Sequence, residues 1–177
     1  MERSRQEKLE YIAAHYMRPM WGRAYSVLSD AHEAEDACQE AFIKLIRIID
    51  DIGDVTELRT RALCCMVAKN TAIDMARKNG RAAPAEDVYL ELNAEPEAED
   101  TPEGIAASKE AVQQIAAEIE GLPELDRDVL RLRCLYEFSA EQTAALLGLN
   151  ANAVNIRLSR ARKRLRERLE AAERART

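Results

Sequence analysis

Between Gly80 and Gly104 the chain reads GRAAPAEDVYLELNAEPEAEDTPEG, with three prolines, dense acid and few large apolar side chains. Such a stretch buries too little apolar surface to offset the entropy lost on ordering. It predicts a flexible acidic linker over 81–101, which divides the 177 residues into an N-terminal unit at 1–80 and a C-terminal unit at 102–172. Each unit is too small for a large core and fits a three- or four-helix bundle. Aromatic residues make up only 5% of the chain, and alanine, glutamate, leucine and arginine dominate, which favours helix over sheet. The predicted fold class is therefore all-α.

The formal net charge of −6 is unevenly spread. Residues 1–80 carry 12 basic and 13 acidic side chains, 81–120 carry 2 and 11, and 121–177 carry 12 and 8. A partner at the C-terminal end would thus meet a positive field despite the acidic total. Within NIRLSRARKRLRER, positions 155–168, seven of fourteen residues are arginine or lysine. The longest uncharged apolar run, ALCCMVA at 62–68, is too short to span a bilayer, and MERSRQEKLEY has no signal-peptide core. A cytoplasmic protein without membrane insertion is expected. Cys38, Cys64, Cys65 and Cys134 show no CxxC spacing, and only His15 and His32 could join them. They are expected as four buried thiols, with no metal, cofactor or catalytic residue.

Three helical patterns run through the N-terminal unit. Leu9, Ile12, Ala13, Tyr16, Met20, Ala24 and Leu28 share a face, with Pro19 expected to kink that helix or start a second segment. Asp30 and Glu33 form an N-cap pair ahead of a stripe of Ala34, Ala37, Cys38, Ala41, Phe42, Leu45, Ile46 and Ile49. That stripe leaves Glu35, Asp36, Gln39, Glu40 and Lys44 outward. A third helix is predicted over 57–79, its inner side formed by Leu58, Ala62, Cys65, Ala72, Ile73 and Ala76. Asn70, Asp74 and Arg77 share another face, with Lys78 adjacent, a mixture of amide and positive charge compatible with nucleic acid.

In the C-terminal unit Thr101 and Pro102 open a helix that Gly121 ends, and Pro123 starts the next. Ile105, Val112, Ile115 and Ile119 form the inner stripe of the first, and Leu125, Val129, Leu132 and Leu135 that of the second. Ser139 with Gln142 reads as a capping box for a short helix, Gly148 supplies a sharp turn, and a long helix restarts near Ala151. This is the helix-turn-helix layout. Val154, Leu158, Ala161, Leu165 and Leu169 line the long helix on one side. Asn155, Ser159 and Arg162 make one outer row, and Arg157, Arg160, Arg164 and Arg168 another. Arg or Asn near the start of such a helix can reach base edges, and later cations suit phosphates.

AEDACQEAFIKLI (34–46), AKNTAID (68–74) and the whole stretch from Leu122 to Leu169 together resemble the extracytoplasmic-function (ECF) sigma factors of bacteria. The resemblance implies a promoter-specificity subunit without catalysis, whose partners are core RNA polymerase, promoter DNA and a separate anti-sigma factor. It implies that Asp36, Gln39 and Glu40 dock on the clamp helices of the largest polymerase subunit, and that the C-terminal unit meets the beta flap. Arg61, Lys69, Asn70, Arg77 and Lys78 would hold the opened minus-ten strand, with the acidic loop at 50–55 taking a flipped base. Asn155, Ile156, Ser159 and Arg160 would face bases in the minus-thirty-five major groove, and Arg157, Arg162 and Arg164 would add backbone contacts. The chain departs from the family at Leu63, commonly Trp, at Met66, often basic, and at Asn152 to Ile156, where Gly-Thr-Val-Lys-Ser is common. A free-standing helix-turn-helix regulator is the alternative, separable by whether polymerase is bound.

Overall fold

The computed structural model describes residues 3–81 and 106–176; most of the predicted acidic linker, and the expected Thr101 and Pro102 start of the fourth helix, lie outside the described residues. Among the described residues the protein is all-α, with seven helices, one 3-10 turn and no strand. The elements are α1 (Arg5–Leu28), α2 (Ala31–Arg47), a 3-10 turn (Ile49–Asp51), α3 (Leu58–Lys78), α4 (Ala106–Glu120), α5 (Glu124–Cys134), α6 (Ala140–Leu147) and α7 (Ala151–Arg176).

Helix α1 runs unbroken through Pro19. The proline lacks one donor, yet Ile12, Tyr16, Met20, Ala24 and Leu28 keep a single buried stripe, and packing on α2 and α3 overrides the local penalty. Asp30 caps α2 by accepting the Glu33 backbone N–H at 2.9 Å. Glu33 itself does not close the box but reaches Arg81, its Oε1 accepting from Nη2 at 2.9 Å.

Helix α3 is the centre of the N-terminal half, packed by both α1 and α2. Its buried side is Leu63, Cys64, Val67, Ala68 and Thr71 with Cys65, Ala72 and Ala76. The sequence-based phase was offset, because Leu58 is exposed and Ala62 faces water. A helix covered on several sides has no single apolar stripe to read. Cys134 is likewise exposed while Cys38, Cys64 and Cys65 are buried, so only three of the four thiols are core. In the C-terminal half α7 packs on α5, α6 and α4. Leu135, expected inward, is exposed because α5 ends at Cys134. Buried apolar residues of the two halves run together in one large cluster from Ile12 to Ala161, beside a smaller one of Ala24, Leu28, Ala34, Ala37, Ala72 and Ala76 in the N-terminal half.

Candidate nucleic-acid and polymerase interface

The helix-turn-helix is built by local chemistry. The Ser139 hydroxyl accepts the Gln142 N–H at 3.1 Å, and Gln142 Oε1 accepts the Ser139 N–H at 2.7 Å, which closes the capping box of α6. Gly148 ends α6 at φ +66°, in the left-handed region that favours glycine, and Asn150 Oδ1 caps α7 through the Ala153 N–H at 2.8 Å. Val154, Leu158 and Ala161 are buried, which fixes the rotation of α7.

That rotation sorts the arginines. Asp126, 1% exposed on α5, accepts Arg157 Nη1 at 2.8 Å on one oxygen and Arg164 Nη1 at 2.9 Å on the other. Arg168 Nε meets Glu118 Oε2 at 2.8 Å, tying α7 to α4. Asn155, Ile156, Ser159, Arg160 and Arg162 face solvent. An open cleft of about 640 Å³ is lined by Arg133, Asn155, Leu158, Ser159, Arg162, Lys163 and Arg166. Arg162 Nη2 also lies 3.6 Å from the exposed Cys134 Sγ. Arg133, Lys163 and Arg166 were missed by sequence reasoning. The Asn155, Ser159, Arg162 row continues to Arg166 at the same helical spacing, so that one was findable; Arg133 arrives from α5 through tertiary packing alone.

The N-terminal half holds the other candidates. Asp36, Gln39 and Glu40 are exposed on α2, with Lys44 Nζ 3.8 Å from Glu40 Oε1. The turn after α2 is anchored from α1: Lys8 Nζ donates to Ile52 O at 2.6 Å, and Tyr16 Oη to Val55 O at 2.6 Å. Burial pushes the Tyr16 hydroxyl up to about 12. Asp54 accepts the Thr56 N–H at 2.9 Å, which holds its carboxyl below the ordinary value. Asp51 accepts Gln142 Nε2 at 2.7 Å.

On α3 the five candidates part ways. Arg77 and Lys78 are exposed, and Arg61 is half-buried. Lys69 Nζ sits 2.6 Å from Glu124 Oε1. Asn70, 7% exposed, donates from Nδ2 to Met66 O and to Asp128 Oδ2, both at 3.0 Å. Burial pushes the Asp128 carboxyl up to about 6, against the Asn70 hydrogen bond, which lowers it. Asp74 is also raised by burial; a Cβ on Gly148 would come within 2.1 Å of its Oδ2.

The match to known proteins covers both halves. The family model of Sigma-70 region 2 matches residues 12–82, and that of Sigma-70, region 4, matches residues 112–165. The chain belongs to the ECF RNA polymerase sigma factors. It is 30% identical to ECF RNA polymerase sigma factor SigD of Mycobacterium tuberculosis over 94% of this chain and 77% of that one. Identity is 29% to SigW of Bacillus subtilis, over 87% and 84% of the two chains, and 32% to the sigma-E factor of Escherichia coli, over 73% and 70%. A solved complex of CnrH with the cytosolic domain of CnrY overlays at a TM-score of 0.38 with 19% identity, covering 95% of this chain and 90% of that one, too distant to guide any placement. As an ECF sigma factor, this chain directs transcription initiation through RNA polymerase. The Sigma-70 region 2 match favours this reading over a free-standing regulator. No helix among the described residues is long and apolar enough to cross a membrane.

Proposed function

We propose that this sigma factor reads its minus-thirty-five element with Asn155, Ile156, Ser159 and Arg160 on base edges, and grips phosphates with Arg162, Lys163, Arg166 and Arg133. The observation that carries this reading is the basic cleft beside the outward face of α7. Arg157 and Arg164, expected on DNA, are assigned instead to holding α7 on α5, because a buried carboxylate lies within hydrogen-bond distance of both. Arg61, Lys69, Asn70, Arg77 and Lys78 are assigned to the minus-ten strand. Asp36, Gln39 and Glu40, exposed in one acidic patch on α2, are assigned to the clamp helices of core polymerase, and the C-terminal half to the beta flap. The protein works in the cytoplasm as an initiation factor without a catalytic site, restrained by a separate anti-sigma factor.

Transcription in vitro with bacterial core polymerase on fragmented genomic DNA tests the reading. Start sites that emerge only when the chain is added, and share a common upstream element, support it. Identical start sites with and without the chain refute it.

A further inference from the structure

The opening residues of α7, ANAVNI at 151–156, carry no charge, although the helix as a whole is rich in arginine. Burial of Val154, Leu158 and Ala161 turns Asn152, Asn155, Ile156, Ser159 and Arg160 outward. Asn150 is already spent on the Ala153 N–H as the helix cap, whereas Asn155 opens onto the cleft. Ile156 is 51% exposed, and its exposed neighbours one turn away, Asn152, Ser159 and Arg160, are all polar. Arg157 is held by Asp126, so Arg160 is the first exposed cation of the helix. The leading part of α7 therefore presents an amide and a branched apolar group to base edges, in place of a guanidinium or an ammonium.

We infer that Asn155 and Ile156 read an A·T step of the minus-thirty-five element, Asn155 taking the adenine and Ile156 the C5-methyl group of a neighbouring thymine. The inference rests on the assignment of this face of α7 to base edges. Asn155 Nδ2 donates to adenine N7 while its Oδ1 accepts from the N6 amino group, a pairing that guanine cannot return because it shows acceptors at both positions. A guanine there would leave the amide oxygen facing O6, with a lost hydrogen bond as the cost. Consecutive residues diverge by about 100° around a helix, so Ile156 meets a different base from Asn155. Packing against a thymine methyl takes apolar surface of both partners out of water, and a β-branched side chain has few rotamers to lose in doing so. Cytosine, without the methyl, returns none of that gain. Neither residue adds charge, so the pair sets sequence preference, while the salt-dependent grip falls to Arg162, Lys163 and Arg166 beside them. Arg160, further along the helix, is the residue suited to guanine.

Base analogues, placed one at a time through the upstream element of promoters mapped with core polymerase, test the pair. Deoxyuridine in place of thymine removes only the methyl group, and 7-deazaadenine in place of adenine removes only the N7 acceptor. Competition binding by the holoenzyme is expected to weaken about fourfold for deoxyuridine at one thymine and about fivefold for 7-deazaadenine at one adenine beside it. Ile156→Ala should erase the first loss and keep the second, and Asn155→Ala should do the reverse, both with an unchanged salt slope. Asn155→Arg should move the preference at its position from adenine to guanine. If a variant loses helix by far-UV circular dichroism, the analogue profile of the wild type decides without it. Undiminished wild-type binding to elements with deoxyuridine at every thymine, or with 7-deazaadenine at every adenine, overturns the inference. So does an analogue loss that persists in the matching alanine variant. Absence of any polymerase-dependent initiation by the wild type rejects the functional assignment, whereas initiation that ignores both analogues rejects the base reading alone.

Discussion

Asp126→Asn distinguishes two roles for the arginines of α7. The carboxylate is 1% exposed and receives one guanidinium on each oxygen, at 2.8 and 2.9 Å, while the Arg157 and Arg164 side chains remain 32% and 43% exposed. Removing one partner of a fully buried pair costs about 3–5 kcal/mol, and an exposed pair contributes about 0–1 kcal/mol. With the cations 32% and 43% open to water, each arm falls near the lower figure, so about 1 kcal/mol per arm and about 2 kcal/mol for Asp126→Asn. Arg157→Ala alone should cost about 1 kcal/mol, and the double-mutant cycle between the two positions should show a coupling of about 1 kcal/mol. Urea unfolding followed by far-UV circular dichroism measures all four proteins. The midpoint should fall with an unchanged slope. If the two substitutions prove additive and stability-neutral, while Arg157→Ala lowers the salt slope of promoter binding by about 1, Arg157 is a phosphate contact and the staple is refuted.

Asp128 makes stability pH-dependent. Its carboxyl is raised to about 6 by burial, with Glu124 reinforcing the shift and Asn70, Arg127 and Arg131 opposing it. The folded chain therefore binds the proton more tightly than the unfolded chain, near the ordinary value of 3.8, so this group adds stability as pH falls from 7 toward 5 and loses that gain as pH rises through about 6. Urea midpoints measured across this range should carry that gain, and Asp128→Asn should flatten its share of the profile. Gly148→Ala should cost about 1–2 kcal/mol for its left-handed backbone and also loosen the α3 contact, read by urea unfolding. Asp36→Arg should weaken core-polymerase binding at least severalfold without changing helix content; unaltered binding would make that face ordinary solvated surface.

Much of this was legible because it is local. The Ser139 and Gln142 box, the Gly148 turn and the restart of α7 each depend on residues within four positions, and the structure reproduces them. The Asp30 cap and the α2 stripe were readable for the same reason. The α3 phase was not: Leu63, Cys64, Val67 and Ala68 are interleaved with small residues on a helix packed from several directions, so hydrophobic spacing no longer points to one neighbour.

The arginine rows show where sequence periodicity stops deciding function. Spacing put Arg157 and Arg164 together, correctly, since residues seven apart share a helix face. It could not say whether that face met DNA or a buried carboxylate, because Asp126 lies 31 residues from one and 38 from the other. An arginine is equally suited to carboxylate and phosphate, both of which accept its planar fork. The same ambiguity hides the contacts of Lys69 and Asn70 with Glu124 and Asp128 of α5. Residues chosen for a polyanion are thus the ones most readily covered by acids of the same chain. Of the acids that matter, Glu124 and Asp126 occupy the first turn of α5, where negative charge is already favoured by the helix dipole, and Asp128 follows in the next. One short acidic segment therefore serves three ends: it starts its helix, fastens α7 behind it through Asp126, and meets Lys69 and Asn70 of α3 in front through Glu124 and Asp128.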